Sequence, residues 1–189
     1  MVAVAAFATP KELRKLLRLD EVDEDAAEFL LGLAEATVRA EVRQEILAND
    51  DTEVTLDGGG TPVLLLPETP VTGVSSVVEN DQELTEGADY VWSASGVMTR
   101  LRRTWSPLPR SVAVVYSHGR AKVPEIVRAV TVQAAARVWV NPRQLSQESI
   151  GDYSRSFGTT SAPAGRIQLT EYERGLLGRY RAKPKGVGP

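Results

Sequence analysis

Cysteine is absent from the 189-residue chain, and histidine occurs once, at His118. The first absence excludes disulfides, thiolate nucleophiles, iron–sulfur clusters and cysteine-based zinc sites. The second leaves a serine–histidine arrangement with one candidate base, in "YSHGRAK", and no G-x-S-x-G turn presents a serine to it. The carboxylates from Asp20 to Asp25 lack the spacing of a calcium loop and read instead as a helix start favoured by the helix dipole. Also missing is any apolar run close to the roughly 18 residues that a membrane-spanning helix requires. The opening "MVAVAAFATP" has no basic stretch ahead of its short apolar run, so it reads as neither signal peptide nor anchor, and a cytoplasmic chain is expected. "DGGGTP" has the glycines of a phosphate loop without its Gly-Lys-Ser/Thr ending, and reads as a hairpin turn between strands. No catalytic residue, no cofactor and no metal ligand is expected, and the chain is not read as an enzyme.

What the sequence does contain is an ordinary globular balance, with 42% apolar and 25% charged residues. The net charge of −3 hides a strong polarity. Residues 20 to 57 hold thirteen acids and two bases, net −11, whereas residues 100 to 189 hold sixteen bases and five acids, net +11. Such a chain suits an acidic partner at its C-terminal part or head-to-tail stacking of copies; two solvated surfaces are the bland alternative.

The hydrophobic period divides the chain. "TPKELRKLL" carries a capping box, with Thr9 as cap, Pro10 at the first helical position and Glu12 three residues after the cap. A second helix is expected from near Asp23 to about Ile46, its core stripe formed by Ala27, Leu31, Ala34, Val38, Val42 and Ile46. From Thr52 to Ser117 the pattern becomes short β runs separated by turn residues, with turns at Asn80-Asp81 and Ser95-Gly96. "EVTLDGGGTPVLLLP" reads as two strands joined by a glycine turn, and "RSVAVVYSHG" as the last strand. A helix follows Pro124, with Ile126, Val127, Val130, Ala134 and Val138 on one side, is expected to pack on the second helix, and stops at Asn141-Pro142. Thr170 and Glu173 then form a second capping box, opening a short basic helix behind the linker-like "TSAPAG". The fold class is α+β: a small helical bundle with an inserted antiparallel β subdomain and a C-terminal arm and helix. Its parts are residues 1–50 (N-terminal helices), 51–120 (β insertion), 121–145 (core helix) and 146–189 (interface arm and C-terminal helix).

Two segments attract a functional reading. "RLRRTWSPLPR" joins four arginines to Trp105, the chemistry of backbone contact and base stacking, although an exposed hairpin rim explains it better. "SQESIGDYSRSFG" is too poor in aliphatic residues for a core helix or strand. With Gly151 turning the chain, Tyr153, Arg155 and Phe157 fall at alternate positions and face one way in an extended arm, a composition enriched at interfaces. The basic helix beyond it has no evident partner in its own domain and is expected either to order on another molecule or to fray.

The order of segments, an acidic helix pair, a β insertion, a long helix ended by proline, then Glu148-Ser149-Ile150-Gly151-Asp152-Tyr153-Ser154 and a basic helix, resembles the head-to-tail connector (adaptor) proteins of long-tailed double-stranded DNA phages. The β insertion is longer than in the small all-helical members of that family. The resemblance implies a structural virion protein at the head–tail junction, made in the host cytoplasm and assembled as a ring of twelve copies under the portal protein. Such a ring extends the channel through which DNA passes without sequence-specific binding, and offers a platform to a stopper or tail-completion protein. No membrane contact and no cofactor are implied. Residues assigned to subunit or portal contact are Ile150, Gly151, Tyr153, Arg155 and Phe157 in the arm, and Thr170, Tyr172, Leu176, Leu177, Arg179, Tyr180 and Arg181 in the C-terminal segment that the resemblance brings to the portal. The alternatives are a stopper or tail-completion neck protein, or a non-catalytic nucleic-acid-binding protein.

Overall fold

The computed structural model describes residues 6–142, 147–150, 153–156 and 166–182. Its architecture is α+β, with four helices and antiparallel sheets. Two compact units share the chain discontinuously: a helical unit of Met1–Val42 with Pro124–Arg179, and a β unit of Arg43–Val123 with Tyr180–Pro189.

In the helical unit, α1 (Pro10–Leu17) begins on the capping box read from the sequence: the Glu12 amide donates to the Thr9 hydroxyl and the Thr9 amide donates to the Glu12 carboxylate at 2.8 Å. It ends where Arg18 turns left-handed. α2 (Glu24–Val42) buries Ala27, Leu31, Ala34, Val38 and Val42, the expected stripe. It stops one turn short of the expected end because Arg43 adopts φ +56°, a conformation that a right-handed helix cannot continue. Ile46 is still fully buried, but in the β unit. α3 (Glu125–Val140) starts at Pro124 and packs against α1, α2 and a short α4 (Glu171–Leu177). That central position explains its composition: Val127, Val130, Thr131, Val132, Ala134, Ala135, Ala136 and Val138 are all buried, so contacts on most sides offset its β-branched content. Thr131 returns its hydroxyl to the Val127 carbonyl at 2.8 Å, which satisfies the buried group within the helix.

In the β unit, β1 (Asn49–Leu56), β7 (Val112–His118), β3 (Val71–Glu79) and β4 (Gln82–Glu83) form one antiparallel sheet in the order β1-β7-β3-β4. β2 (Val63–Leu65), β6 (Val97–Arg100) and β5 (Tyr90–Trp92) form another, in the order β2-β6-β5. The Asn80-Asp81 turn closes β3 on β4 with both residues at positive φ, and Gly96, at φ +80°, closes β5 on β6, as the turn residues predict. The glycines of "DGGG" do something else. The two strands flanking them do not pair: β1 pairs with β7 and β2 with β6. Gly58 lies so close to the Ser106 carbonyl that a Cβ would stand 2.2 Å from its oxygen. Trp105 donates its amide to the Thr61 carbonyl at 2.9 Å, so the glycines carry the chain from one sheet to the other under the 101–111 loop. β7 alternates buried and half-buried residues along its length, and the apolar core gathers Val112, Val114 and Tyr116 with Val77, Met98 and Trp105.

β8 (Gln147–Ile150) and β9 (Tyr153–Ser156) form a separate two-stranded hairpin, Ile150 opposite Tyr153. Over these residues the expected extended arm is two paired strands; Gly151, the expected turn residue, and Phe157 lie outside the described residues.

Trp105 is wholly enclosed. Trp105→Ala is expected to lower the unfolding free energy by about 3–5 kcal/mol, the range for emptying a large aromatic site. Urea denaturation checks this, and a loss below about 1 kcal/mol would mean that the tryptophan does not anchor the loop.

Candidate partner-binding surfaces

The C-terminal segment is folded onto its own helical unit. Ile167, Leu169 and Leu177 are buried, and so is the carboxylate of Glu173, at 3% exposure. Arg137 of α3 reaches that carboxylate with two nitrogens, Nη1 to Oε1 at 2.7 Å and Nη2 to Oε2 at 2.9 Å, and Nη2 also donates to the Gln168 carbonyl at 2.9 Å. The same carboxylate accepts the Thr170 amide at 2.8 Å, while the Glu173 amide donates to the Thr170 hydroxyl at 3.2 Å. Burial on its own raises the Glu173 carboxyl. The hydrogen bonds and charge of Arg137 and the Thr170 amide outweigh it, and the carboxyl is held below its ordinary value. A helix expected to lack partners in its own domain therefore has them. The sequence showed Glu173 as a capping-box residue but carried no sign of Arg137, 36 positions away, as its counter-ion.

The candidate contact residues consequently fall into different classes. Leu177 is interior to the helical unit. Tyr180 is interior to the β unit, where Arg120 lies over its ring at 5.2 Å and Gln44 Nε2 donates to its carbonyl at 2.6 Å. Thr170 commits its hydroxyl to the cap. Tyr172, at 75% exposure, projects into solvent, Leu176 is half-buried, and Arg179 and Arg181 are exposed. Ile150, Tyr153 and Arg155 occupy the β8–β9 hairpin.

The arginine-rich stretch also divides. Arg100 is buried and held by Glu79 at 3.2 Å, the Asp89 carboxylate at 3.3 Å and the Asp89 carbonyl at 2.7 Å. Glu79 accepts the Ser106 amide at 2.7 Å as well, fixing the loop that contains Trp105. The carboxyl of Asp89 is lowered first by the Thr85 amide and then by Arg100. Trp105, enclosed beneath, has no face left for a nucleic-acid base. Arg102, Arg103, Arg110 and Leu108 remain exposed, with Arg102 and Arg110 in the left-handed region.

His118 is enclosed in the β unit, with Nε2 3.0 Å from the Thr52 hydroxyl and its ring 5.2 Å from that of Tyr116. Burial lowers its pKa, so the ring is neutral near pH 7. Among the described residues, no group of three or more His, Cys, Asp or Glu side chains is placed to hold a metal ion, and no helix is long and apolar enough to cross a membrane.

No protein-family model matches the sequence, and no curated protein is significantly similar to it. Solved structures share the fold. The chain is similar over its whole length to a chain in the neck of an empty GTA particle computed with C6 symmetry, at 19% identity and a TM-score of 0.56, covering 96% of that chain. It is similar over the same extents to a chain in the neck of a native GTA particle computed with C12 symmetry, at 17% identity and a TM-score of 0.57. A chain in the virion of a native gene transfer agent particle matches at 19% identity and 0.58, again with 96% of that chain covered.

The Arg137–Glu173 pair makes α4 docking dependent on pH. Its folded carboxyl lies below the ordinary 4.5, so its contribution is complete above that value and is lost as pH falls through the lower, folded one. Glu173→Gln is expected to cost about 1–3 kcal/mol at pH 7, the scale of a lost charged hydrogen bond. In urea denaturation the gap between variant and wild type should narrow below pH 4.5. A gap independent of pH would show that the charge of Glu173 does not hold the helix.

Proposed function

We propose that the chain is a structural subunit of the neck of a phage-like particle, a head-to-tail adaptor whose copies form a ring beneath the portal protein, extend the DNA channel and dock the next neck or tail protein. The observation that carries the reading is fold likeness along the entire chain to proteins of a gene transfer agent neck, with nearly all of each matched chain covered. A twelve-copy ring is compatible with both necks, one computed with C12 symmetry and the other with C6. The place of action is the head–tail junction of the virion, after synthesis in the host cytoplasm.

In this reading the subunit- and portal-facing elements are the β8–β9 hairpin, with Ile150, Tyr153 and Arg155, and the outward side of the C-terminal segment, with Tyr172, Leu176, Arg179 and Arg181. Leu177, Tyr180 and the Thr170 cap hold that segment in place from within. A segment already fixed on its own helical unit loses less entropy on docking than one that folds on its partner. Catalysis has no part in the proposal: the single histidine is committed to the β core and no cofactor is invoked. The nucleic-acid-binding alternative loses its stacking aromatic to burial, leaving three exposed arginines that fit non-specific contact with passing DNA. A stopper or tail-completion protein would share the neck but sit farther from the portal.

Loss of the gene tests the reading. DNA-filled heads and free tails are expected to accumulate unjoined, and complementation with the wild-type chain to restore whole particles. Complete particles made without the protein would refute it. The charge polarity adds a second expectation, that rings assembled at low ionic strength loosen in about 0.5 M salt, where screening shortens to a few ångströms. Assembly indifferent to salt would remove charge from the account of the ring.

A further inference from the structure

α2 is apolar on two sides. Its inner stripe is spent on the helical core, yet Phe29, Gly32, Leu33, Ala36 and Ala40 are all exposed. At 3.6 residues per turn these five share one side of the helix, opposite Ala27, Leu31, Ala34, Val38 and Val42. Phe29 is 67% and Leu33 39% exposed, large apolar surfaces for a helix whose other face already supplies the core. Gly32 stands mid-helix with nothing within 4 Å of where its Cβ would be. Glycine there weakens the helix, and nothing among the described residues approaches closely enough to need it. Two knobs beside a row of small residues are the surface on which another segment packs at short range.

Charge identifies the occupant. Glu24, Asp25 and Glu28, all exposed, border the stripe at its Phe29 end, inside the region of net charge −11. An α2-to-α2 contact would bring that region against its own copy, and like charges repel. The complementary surface is in the basic part of the same chain. On the C-terminal segment, Tyr172 is exposed at the start of α4, and Arg179, also exposed and seven residues on, falls on the same side two turns later. An aromatic flanked by arginine matches an apolar stripe flanked by carboxylates.

We propose that the outward stripe of α2 is the seat of a second copy of this chain, which lays the Tyr172 side of its α4 segment upon it. This rests on the ring reading above and gives the ring its subunit contact: two different patches meet, and repetition closes a circle when the rotation per copy divides a full turn. Phe29 is the knob at the centre of the contact, Leu33 its neighbour, and Gly32 and Ala36 let the incoming segment approach.

Because the chain has no cysteine, single cysteines can be placed without background. Copies carrying Phe29→Cys and copies carrying Tyr172→Cys are mixed at high micromolar concentration with a short bismaleimide. Cross-linked dimers are expected in the mixture, and a ladder of multimers from a chain carrying both changes. Dimers from Phe29→Cys alone as abundant as those from the mixture would overturn the heterologous contact, and no cross-linked species at all would overturn self-association through this face. A second variant, Phe29→Glu with Leu33→Glu, alters only exposed positions; it is expected to keep its circular dichroism and melting temperature while its self-association, measured by sedimentation velocity at the same concentration, weakens at least tenfold. Particles whose necks assemble normally from this double variant would overturn the interface and leave the neck reading standing. Particles that lack the wild-type chain altogether would overturn the reading on which the interface rests.

Discussion

A carboxylate taken out of water must be matched by a cation held at short range, and the C-terminal segment is built on that constraint. Glu173 satisfies the first turn of its own helix and the guanidinium of Arg137 at once, so the cap, the short helix and the central α3 are fixed by one group. Seven residues form too short a helix to be stable alone, and Gly175 weakens this one further. It is helical because it is docked. The same docking decides which side chains reach outward: Leu177 faces the unit's interior, and Tyr172 faces solvent.

The β unit obeys a related rule. Arg100 is buried because Glu79 and Asp89 surround it, and Glu79 in turn holds the amide of Ser106, next to the enclosed Trp105. A loop that sequence composition marks as basic and aromatic is thus tied down through its aromatic residue and one of its arginines. What it offers to a partner is the remainder, Arg102, Arg103, Arg110 and Leu108, on a backbone whose shape is set from below. In both units a charged pair converts part of an apparently functional motif into structure and presents the rest.

This division explains what could be read from the sequence. Local signals were legible: both capping boxes, the turns at Asn80-Asp81 and Ser95-Gly96, and the core stripe of α2 depend on residues a few positions apart. Pairings that depend on distant residues were not. The glycines after β1 carry the signature of a hairpin turn, but strand choice is settled by β7, which lies more than fifty residues later and takes β1 for itself. The end of α2 was misplaced because Ile46 continues the apolar period while serving a different unit, the break coming from the backbone of Arg43. The outer stripe of α2 is not legible in the sequence, because the inner stripe alone accounts for the apolar period and the exposure of Phe29 and Leu33 depends on what packs around the helix in three dimensions.

Polar groups committed to holding surfaces in place, and a charge distribution that separates an acidic region near the N-terminal helices from a basic C-terminal one, fit the assembly role proposed above. Its fold is alike over the whole length to chains of a particle neck, and the neck role proposed above would give those surfaces a setting. Immunogold labelling of intact particles with an antibody against the recombinant chain tests that setting most directly. The account predicts gold at the junction of head and tail. Particles without label, with the protein confined to the lysate of producing cells, would contradict it.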